Sequence, residues 1–330
     1  MRRATSGSGG PIKAVQLAQL VDEAPEGPEW IHEQKFDGYR ILADKQGKHV
    51  RLYSRRFNDW TAQFPTVVAA VAALPYDRLL LDGEVAAVLA DGRTSFQALQ
   101  NAFSGNAANL AYFVFDLLRV DGEDLTQLPL VTRKERLKKL LGHKKSAQQI
   151  LRYSDHVEGS GKKFFELACK QGLEGIVSKR RDSKYTGGRG GSWVKTKCLL
   201  RQELVIAGYT DPEGARNHIG SLLVGYYDGG KLVYAGKVGT GFTQKLLVEL
   251  KALVSPLETA KCPFASEPPR AWTGPGRHWV QPKLVGEVAF SEWTADGRLR
   301  HPSFQGLRRD KRPSEVVREK PKHLATGRDG

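Results

Sequence analysis

The stretch Glu33-Gln34-Lys35-Phe36-Asp37-Gly38-Tyr39-Arg40 decides how the rest of the chain is interpreted. It places a lysine two residues before an Asp-Gly pair, and Asp-Gly is typical of a tight turn ahead of a strand. An apolar segment at 39–44 does follow. Taken alone, the stretch is equally compatible with a simple turn, so its meaning depends on the sequence around it.

Composition describes a globular protein with excess positive charge. The 330 residues include 51 Lys and Arg against 36 Asp and Glu, a net charge of +15, and 40% are hydrophobic. This balance excludes a wholly disordered chain, and the length favours two domains that each bury a core. The cations favour a polyanionic partner such as a nucleic acid, although a well-solvated basic enzyme has the same charge.

The sequence predicts a cytoplasmic protein. The longest apolar stretch, residues 64–76, is far shorter than the roughly 20 residues of a membrane-spanning helix, and no secretory signal is recognisable. Cys169, Cys198 and Cys262 are odd in number and distant along the chain. We therefore expect neither a zinc finger nor a disulfide framework, and a reducing compartment.

Short apolar segments bounded by turn residues predict an α+β fold for the first part of the chain. Helix signals there are a Thr132–Glu135 capping box with Gly142 as the end, Ser160 and Gly172 as the ends of a second helix, and Thr94 or Ser95 opening a third. Strands are predicted at 39–44, 49–54, 79–89, 111–118, 174–179 and 192–197.

After Lys197 the pattern changes to short strands with Gly-rich turns and one helix from Thr243 to about Val254. Five or so strands with one helix between the third and the fourth predict a small Greek-key β-barrel of the OB-fold type. The predicted strands are 203–210, 220–227, 231–238 and 285–293. The predicted organisation is a linker at 1–11, a first domain at 12–200, an OB-fold domain at 201–312 and a basic tail at 313–330.

Six further blocks follow the opening stretch in order, and they combine carboxylates, aromatic residues and paired cations. They are Ser54-Arg55, Leu81-Asp82-Gly83-Glu84, Phe113-Val114-Phe115-Asp116, Glu174-Gly175-Ile176-Val177-Ser178-Lys179, Trp193-Val194-Lys195-Thr196-Lys197 and Arg308-Arg309-Asp310-Lys311. The set resembles the motifs of the covalent nucleotidyltransferases and, within them, the ATP-dependent DNA ligases. The segments 29–40 and 299–308 are similar to the ligase module of the bacterial end-joining ligases D.

The resemblance implies that 12–200 is an adenylation (nucleotidyltransferase) domain, that ATP is the cofactor and that Lys35 carries a covalent AMP. An amine attacks phosphorus only when neutral, and free lysine has a pKa of ~10.4, so the site must lower the pKa of Lys35. Lys195, Lys197 and a bound Mg²⁺ or Mn²⁺ are the cations expected to do this. Alternation puts both lysines on one strand face, as it also would on a merely solvated strand.

By the same resemblance, Glu84 lies near the ribose and the metal, and Glu174 binds the metal. Carboxylate oxygens are ligands that Mg²⁺ prefers. Arg40 and Arg55 are expected to hold the ribose or phosphates, because the guanidinium group is a planar fork. The segment 54–58 departs from the Ser-Arg-Asn-Gly pattern of larger ligases.

Phe115 is expected to stack on adenine, since the stacking aromatic of the family directly precedes its Asp, although Phe113 shares the strand face. Glu33 is expected to accept a hydrogen bond from the adenine amino group, which would exclude GTP. Arg308 and Lys311 are expected to orient the β- and γ-phosphates as pyrophosphate leaves. Without that role they would be a basic tail for nonspecific DNA contact.

The expected activity is the sealing of a nick in double-stranded DNA through lysyl-AMP and adenylylated DNA, in repair by non-homologous end joining. Lys179-Arg180-Arg181, Lys184 and Arg189 are expected to grip the DNA. The resemblance further implies a monomer, a Ku-type end-binding protein and fused nuclease or polymerase domains as partners. The alternatives are an mRNA-capping guanylyltransferase, an RNA ligase, an NAD⁺-dependent ligase and a catalytically dead binding protein.

Overall fold

The computed structural model describes residues 12–103, 108–142, 149–198, 200–212 and 218–321. The chain divides into two compact units, and among the described residues the first contains 12–198 and the second 200–320. The predicted linker at 1–11 lies outside the described residues, as does the end of the predicted tail.

In the described residues, the first unit contains two sheets and four α-helices. Its strands are β1 (Gln19–Leu20), β2 (Trp30–Gln34), β3 (Tyr39–Gln46), β4 (His49–Ser54), β5 (Arg78–Val88), β6 (Thr94–Ser95), β7 (Leu110–Val120), β8 (Glu123–Asp124), β9 (Leu151–Tyr153), β10 (His156–Glu158), β11 (Gly175–Arg180) and β12 (Trp193–Lys197). Its helices are α1 (Pro65–Ala72), α2 (Phe96–Phe103), α3 (Leu130–Leu141) and α4 (Gly161–Lys170), with a 3₁₀ turn at Thr61–Gln63.

One sheet runs in the order β1-β12-β11-β2-β10, and the other in the order β4-β3-β5-β7-β8 with β6 on β5 and β9 on β7. Ile31 of the first sheet packs in one cluster with Leu42, Leu80 and Phe115 of the second. The opposite face of the second sheet buries a larger apolar cluster that includes Phe64, Leu99 and Leu137 from the helical segments. Two covered faces explain why the residues of β5 and β7 are buried almost without interruption.

Most predicted elements are confirmed, but the predicted start of α3 at the Thr132 capping box is wrong. The helix begins at Leu130 with Pro129 as its N-cap, and no side chain caps it. Pro129 has the fixed backbone angle that suits this position, so the helix starts before Thr132 is reached. Ser160 does cap α4 through the N–H of Lys163, and Gly142 ends α3 with φ of 69°.

The described part of the second unit contains a six-stranded antiparallel sheet, with helix α5 (Gln244–Val254) between its third and fourth strands. The sheet strands are β13 (Leu200–Thr210), β14 (Ser221–Asp228), β15 (Lys231–Val238), β16 (Glu258–Thr259), β17 (Arg277–Phe290) and β20 (Ser303–Leu307). The hairpin of β18 (Glu292–Trp293) and β19 (Leu299–Arg300), helix α6 (Arg270–Thr273) and 3₁₀ turns at Ser255–Leu257 and Pro313–Glu315 complete it.

The OB-like character of this unit is confirmed, with one difference. The strand order is β15-β14-β13-β17-β16 with β20 on β17, so the described strands do not close into the predicted barrel. Val224, Leu250 and Phe304 lie in one buried core, which α5 covers as its apolar spacing predicts.

Cys169 and Cys198 are joined in the structure, which contradicts the expectation of unpaired cysteines. Cys169 lies near the end of α4 and Cys198 directly follows β12, so residues distant in sequence become neighbours in the fold. Sequence distance was therefore a poor guide to pairing. In the part of the chain that the structure describes, no helix has the length and apolarity of a membrane span.

Candidate active site

Strand register brings the motif residues of three strands onto one face of the first sheet. Glu33 on β2, Val177 on β11 and Lys195 on β12 are directly paired across the sheet. One step along, the N–H of Lys35 donates to the carbonyl of Gly175 at 3.0 Å, and Gly175 pairs with Lys197. The predicted shared face of the two β12 lysines is confirmed, because residues two apart on a strand point the same way.

Lys35 lies just after β2, and its ammonium group pairs with the Glu174 carboxylate. The lysine side chain is 21% exposed, so solvent and a ligand can reach it, whereas the side chain of Glu174 is only 8% exposed. A half-buried amine at the mouth of a charged site has the accessibility that a nucleophile needs.

The predicted depression of the Lys35 pKa is wrong for this structure. Burial favours the neutral amine, but the carboxylates of Glu174, Asp37 and Glu84 outweigh it and raise the pKa of Lys35 above its usual value. Any effect of Lys195 and Lys197, the cations expected to lower this pKa, does not offset the carboxylates. The pairing with Glu174 thus favours the protonated amine.

Asp37 and Gly38 fix the loop that carries Lys35. The Asp37 carboxylate accepts from the N–H of Phe96 at 2.9 Å, and the N–H of Asp37 donates to the Thr94 hydroxyl at 3.0 Å. A Cβ on Gly38 would lie 2.1 Å from the carbonyl oxygen of Val85. The Asp-Gly pair therefore anchors the loop to α2 and β5, which is more than a hairpin turn requires.

Glu33 sits in a buried ionic cluster. One carboxylate oxygen accepts from the ammonium groups of Lys134 at 2.8 Å and Lys179 at 2.9 Å, and the other accepts from the Ser154 hydroxyl at 2.6 Å. Although burial opposes ionisation, the two lysines and the hydroxyl lower the pKa of Glu33 to about 2. Glu33 is thus ionised at any working pH and acts only as an acceptor.

Lys179 is the cation that sequence reasoning misplaced. It is only 2% exposed, and its ammonium lies 4.4 Å from the centre of the Phe115 ring, so it cannot grip DNA as predicted. Burial, with repulsion from Lys134, lowers its pKa to about 8 despite the attraction of Glu33. Lys184 and Arg189, by contrast, are exposed, and their contact with DNA stays a prediction.

Arg40 on β3 and Glu84 on β5 lie on the same face of the second sheet. They are direct cross-strand partners, and Phe113 pairs with Glu84 on the far side. Arg40 makes a two-pronged contact of 2.5 and 2.6 Å with the buried carboxylate of Asp82. Its guanidinium carbon also lies 4.6 Å from the centre of the Phe115 ring. Arg40 is therefore held rigidly, while Arg55 is half-buried in the turn after β4.

Both candidate stacking residues are largely buried. Phe115 is 8% exposed and packs edge-on against Trp193, whereas Phe113, also 8% exposed, stacks on Phe36 with ring centres 3.9 Å apart. A strand bulge between the Asp82–Asp116 and Gly83–Val114 pairs sets Phe115 apart from the regular alternation. The assignment of adenine stacking to Phe115 stays a prediction.

Glu84 and Glu174 fit the demands of a divalent cation. Both carboxylates act on the ammonium of Lys35, so the two lie around one point. No group of three or more His, Cys, Asp or Glu that could hold a metal occurs among the described residues. Mg²⁺ usually takes one or two carboxylates and fills its other positions with phosphate oxygens and water.

Arg308 and Lys311 lie in the second unit, each held by carboxylates. Arg308 forms a two-pronged contact with Asp310 at 2.8 and 2.9 Å and reaches Glu287 at 3.0 Å. Lys311 pairs with Glu203 at 2.8 Å. Their side chains are 14% and 12% exposed, so neither belongs to a loose basic tail. Their predicted contact with ATP phosphates stays a prediction.

Sequence reasoning missed Lys134 and Ser154, and it quoted Asp82 without giving it a role. Lys134 lies on α3 and Ser154 follows β9, and neither belongs to a recognisable block. A buried lysine on the inner face of an amphipathic helix was the one available signal. Asp116 has a structural role, since its carboxylate holds the buried guanidinium of Arg133 at 2.8 Å.

Two family models match this chain. Residues 11–197 match the family model described as the ATP dependent DNA ligase domain, and residues 215–311 match the ATP dependent DNA ligase C terminal region. The multifunctional non-homologous end joining protein LigD of Pseudomonas aeruginosa is 42% identical over 97% of this chain. LigD of Mycobacterium tuberculosis is 42% identical over 88% of it.

The chain spans 38% of the length of each of these two relatives. A solved structure of mycobacterial DNA ligase D complexed with ATP and MES is 38% identical, with a TM-score of 0.70, and the match covers 93% of this chain and 98% of that one. The ligase domain of M. tuberculosis LigD matches with a TM-score of 0.51 over the same shares.

Proposed function

The chain belongs to the family of ATP-dependent DNA ligases, and we propose that it seals nicks between a 5′-phosphate and a 3′-hydroxyl in double-stranded DNA. The observation that carries the proposal is the pairing of a partly exposed Lys35 with Glu174, on a sheet face shared with Lys195 and Lys197. We assign 12–200 as the adenylation domain and 201–312 as the OB-type domain.

In the first step, the Lys35 nitrogen forms a bond to the α-phosphorus of ATP, pyrophosphate leaves, and the amine loses its proton. Lys195 and Lys197 stabilise the charge that builds on the phosphoryl oxygens. Arg40 and Arg55 hold ribose or phosphate, Phe115 stacks on adenine, and Glu33 accepts from the adenine amino group. Arg308 and Lys311 orient the leaving pyrophosphate.

Glu84 and Glu174 are the residues that would hold Mg²⁺ or Mn²⁺. A cation bound there would supply positive charge to the phosphate oxygens, and Glu174, as its ligand, would no longer be available to Lys35. Once Glu174 no longer pairs with Lys35, burial of the amine favours its neutral, nucleophilic form. The pair is thus a latch that keeps Lys35 protonated until the site is loaded.

In the second and third steps the AMP passes to the 5′-phosphate of the nick, and the 3′-hydroxyl then displaces it. The first transfer breaks the bond between nitrogen and phosphorus, and the second closes the DNA backbone and releases AMP. Each is an in-line displacement at phosphorus, which catalysis assists by positioning and by charge.

We further propose that the activity serves double-strand break repair by non-homologous end joining in the bacterial cytoplasm. The support is the similarity to the end-joining LigD proteins, of whose length this chain spans 38%. A Ku-type end-binding protein and fused nuclease or polymerase domains are the corresponding partners, and the chain acts as a monomer.

The function is tested with a nicked duplex carrying a labelled 5′-phosphate. With ATP and Mg²⁺ the purified chain should convert the label into a continuous strand, and Lys35→Ala should leave the nick open. GTP in place of ATP should give no product, and uptake of GTP onto the protein would favour the capping guanylyltransferase. Sealing of nicked RNA but not of DNA would favour an RNA ligase.

A further inference from the structure

Lys134 is a fully buried cation that no motif of the sequence contains. Its side chain is 0% exposed, and its ammonium donates to Glu33 at 2.8 Å and to the carbonyl of Ser154 at 2.9 Å, beneath the ring of Tyr153 at 4.7 Å. An ammonium group withdrawn from water loses several kcal/mol of solvation unless its partners restore it. The burial of this ammonium group against Glu33 therefore needs a physical explanation.

Neutralising Glu33 does not require Lys134, because Lys179 already contacts the same oxygen at 2.9 Å. The second ammonium adds repulsion, which contributes to lowering the pKa of Lys179 to about 8. Lys134 is thus a second cation on a carboxylate that Lys179 already neutralises. It adds little to the charge balance, but it restricts the orientation of the Glu33 carboxylate. Two donors on one oxygen and the Ser154 hydroxyl on the other leave Glu33 a single orientation.

The acceptor capacity of Glu33 shows what this orientation achieves. A carboxylate offers about four acceptor positions, and the three contacts fill both positions on one oxygen and one on the other. The remaining position is on the oxygen that Ser154 contacts. A nucleobase with an amino group at its 6-position can donate a hydrogen bond to this remaining acceptor position. A nucleobase with a carbonyl there would instead place its own oxygen, a second acceptor, against the Glu33 oxygen.

We propose that Lys134 is a positioning residue that selects ATP by holding the carboxylate of Glu33 in one orientation toward the 6-amino group of adenine. The inference rests on the proposed function, and it adds a residue from α3, outside the ligase motifs, to the determinants of nucleotide choice.

The test compares ATP with purine riboside triphosphate, which lacks the 6-amino group, in the formation of protein-bound nucleotide. The wild type should use ATP at least about tenfold more efficiently, in rate divided by apparent KM, because a hydrogen bond to a charged acceptor is lost with the analogue. Lys134→Met should reduce this preference toward unity. Lys139→Met, which changes an exposed lysine on the same helix, is the matched control and should retain it.

A purely structural role for Lys134 would lower both rates in proportion and leave the preference intact, which would overturn the proposal. If Lys134→Met does not fold, Lys134→Gln has a polar side chain that is too short to keep the 2.8 Å contact with Glu33, and the same ratio decides. A wild type that takes up both triphosphates equally contradicts the reading of adenine by Glu33. A wild type that takes up neither contradicts the proposed function itself, so the failures are distinguishable.

Discussion

At Lys35 two opposing influences act on one amine. Burial favours the neutral form and three carboxylates favour the charged form, with a net rise in the pKa. Because Glu174 is the strongest of these carboxylates, its removal should reverse the balance. Glu174 therefore influences the protonation of Lys35 more strongly than Asp37 or Glu84 does.

We predict that Glu174→Gln lowers the pKa of Lys35. The amine should then react with trinitrobenzenesulfonate at a lower pH than in the wild type, as followed by peptide mass spectrometry across a pH series. Glu158→Gln, which changes an exposed carboxylate 3.8 Å from Arg181, should leave the profile of Lys35 unaltered. An unchanged profile in Glu174→Gln would contradict the latch.

Glu33 should make the stability of the protein depend on acid. Its pKa is about 2 in the fold against an ordinary value of 4.5, so it contributes stability above pH 4.5 that is lost as the pH falls toward 2. The contribution is on the order of 3 kcal/mol. In urea unfolding at pH 4.5 and 2.5, the double variant Glu33→Gln/Lys134→Met should lose less stability than the wild type. Equal losses would refute the assignment.

The residues of the site could be predicted where they belong to a sequence motif. They could not be predicted where only tertiary packing brings them to the site. Lys195 and Lys197 were predicted to share one strand face because strand alternation dictates it. Lys134 could not be connected with Glu33, since 101 residues separate them and only the packing of α3 brings them together. The charge state of Lys35 was mispredicted for the same reason, because it depends on the carboxylate of Glu174, which is 139 residues away in the sequence.

At the scale of elements, close contact between strands β3 and β5 explains the glycine of the opening stretch. A Cβ at Gly38 would meet the Val85 carbonyl oxygen at 2.1 Å, which only backbone movement relieves. We predict that Gly38→Ala destabilises the protein by about 2 kcal/mol or more and slows formation of protein-bound AMP. Gly190→Ala, where a Cβ has open space, is the control, and equal unfolding midpoints for the two variants would contradict the contact.

The bond between Cys169 and Cys198 ties α4 to the end of β12. Closing a loop across a sequence separation of 29 stabilises a fold by roughly 3 kcal/mol through the unfolded chain. We predict that reductant lowers the urea midpoint of the wild type but not that of Cys169→Ser/Cys198→Ser. Alkylation of all three cysteines in the untreated, unfolded protein would show that the bond is absent.

Elements were predicted well where local signals agree with packing. The cap of α4 at Ser160 and the span of α5 followed from sequence, whereas Pro129 overrode the apparent capping box of α3. Strand limits were accurate in the hairpin of β14 and β15, because a Gly-rich turn bounds both strands. Closure of the second sheet was not predictable, since it depends on pairing between distant strands.

At the scale of the whole molecule, a net charge of +15 should make DNA binding sensitive to salt. A protein that neutralises about six phosphates loses roughly a thousandfold in affinity between 50 and 200 mM salt, because counterions are released on binding. We predict such a loss for a nicked duplex in fluorescence anisotropy. Lys184→Gln, which changes an exposed lysine, should reduce the slope by about one phosphate, and salt-independent affinity would contradict the account.

The proposed DNA ligase activity depends on Lys35 carrying AMP. The most direct measurement is tandem mass spectrometry of the protein after incubation with ATP and Mg²⁺ in the absence of DNA. We predict AMP on the peptide that contains Lys35, attached to that side chain, and its disappearance when nicked DNA is added. AMP on another residue, or equal labelling of Lys35→Ala, would contradict the central claim.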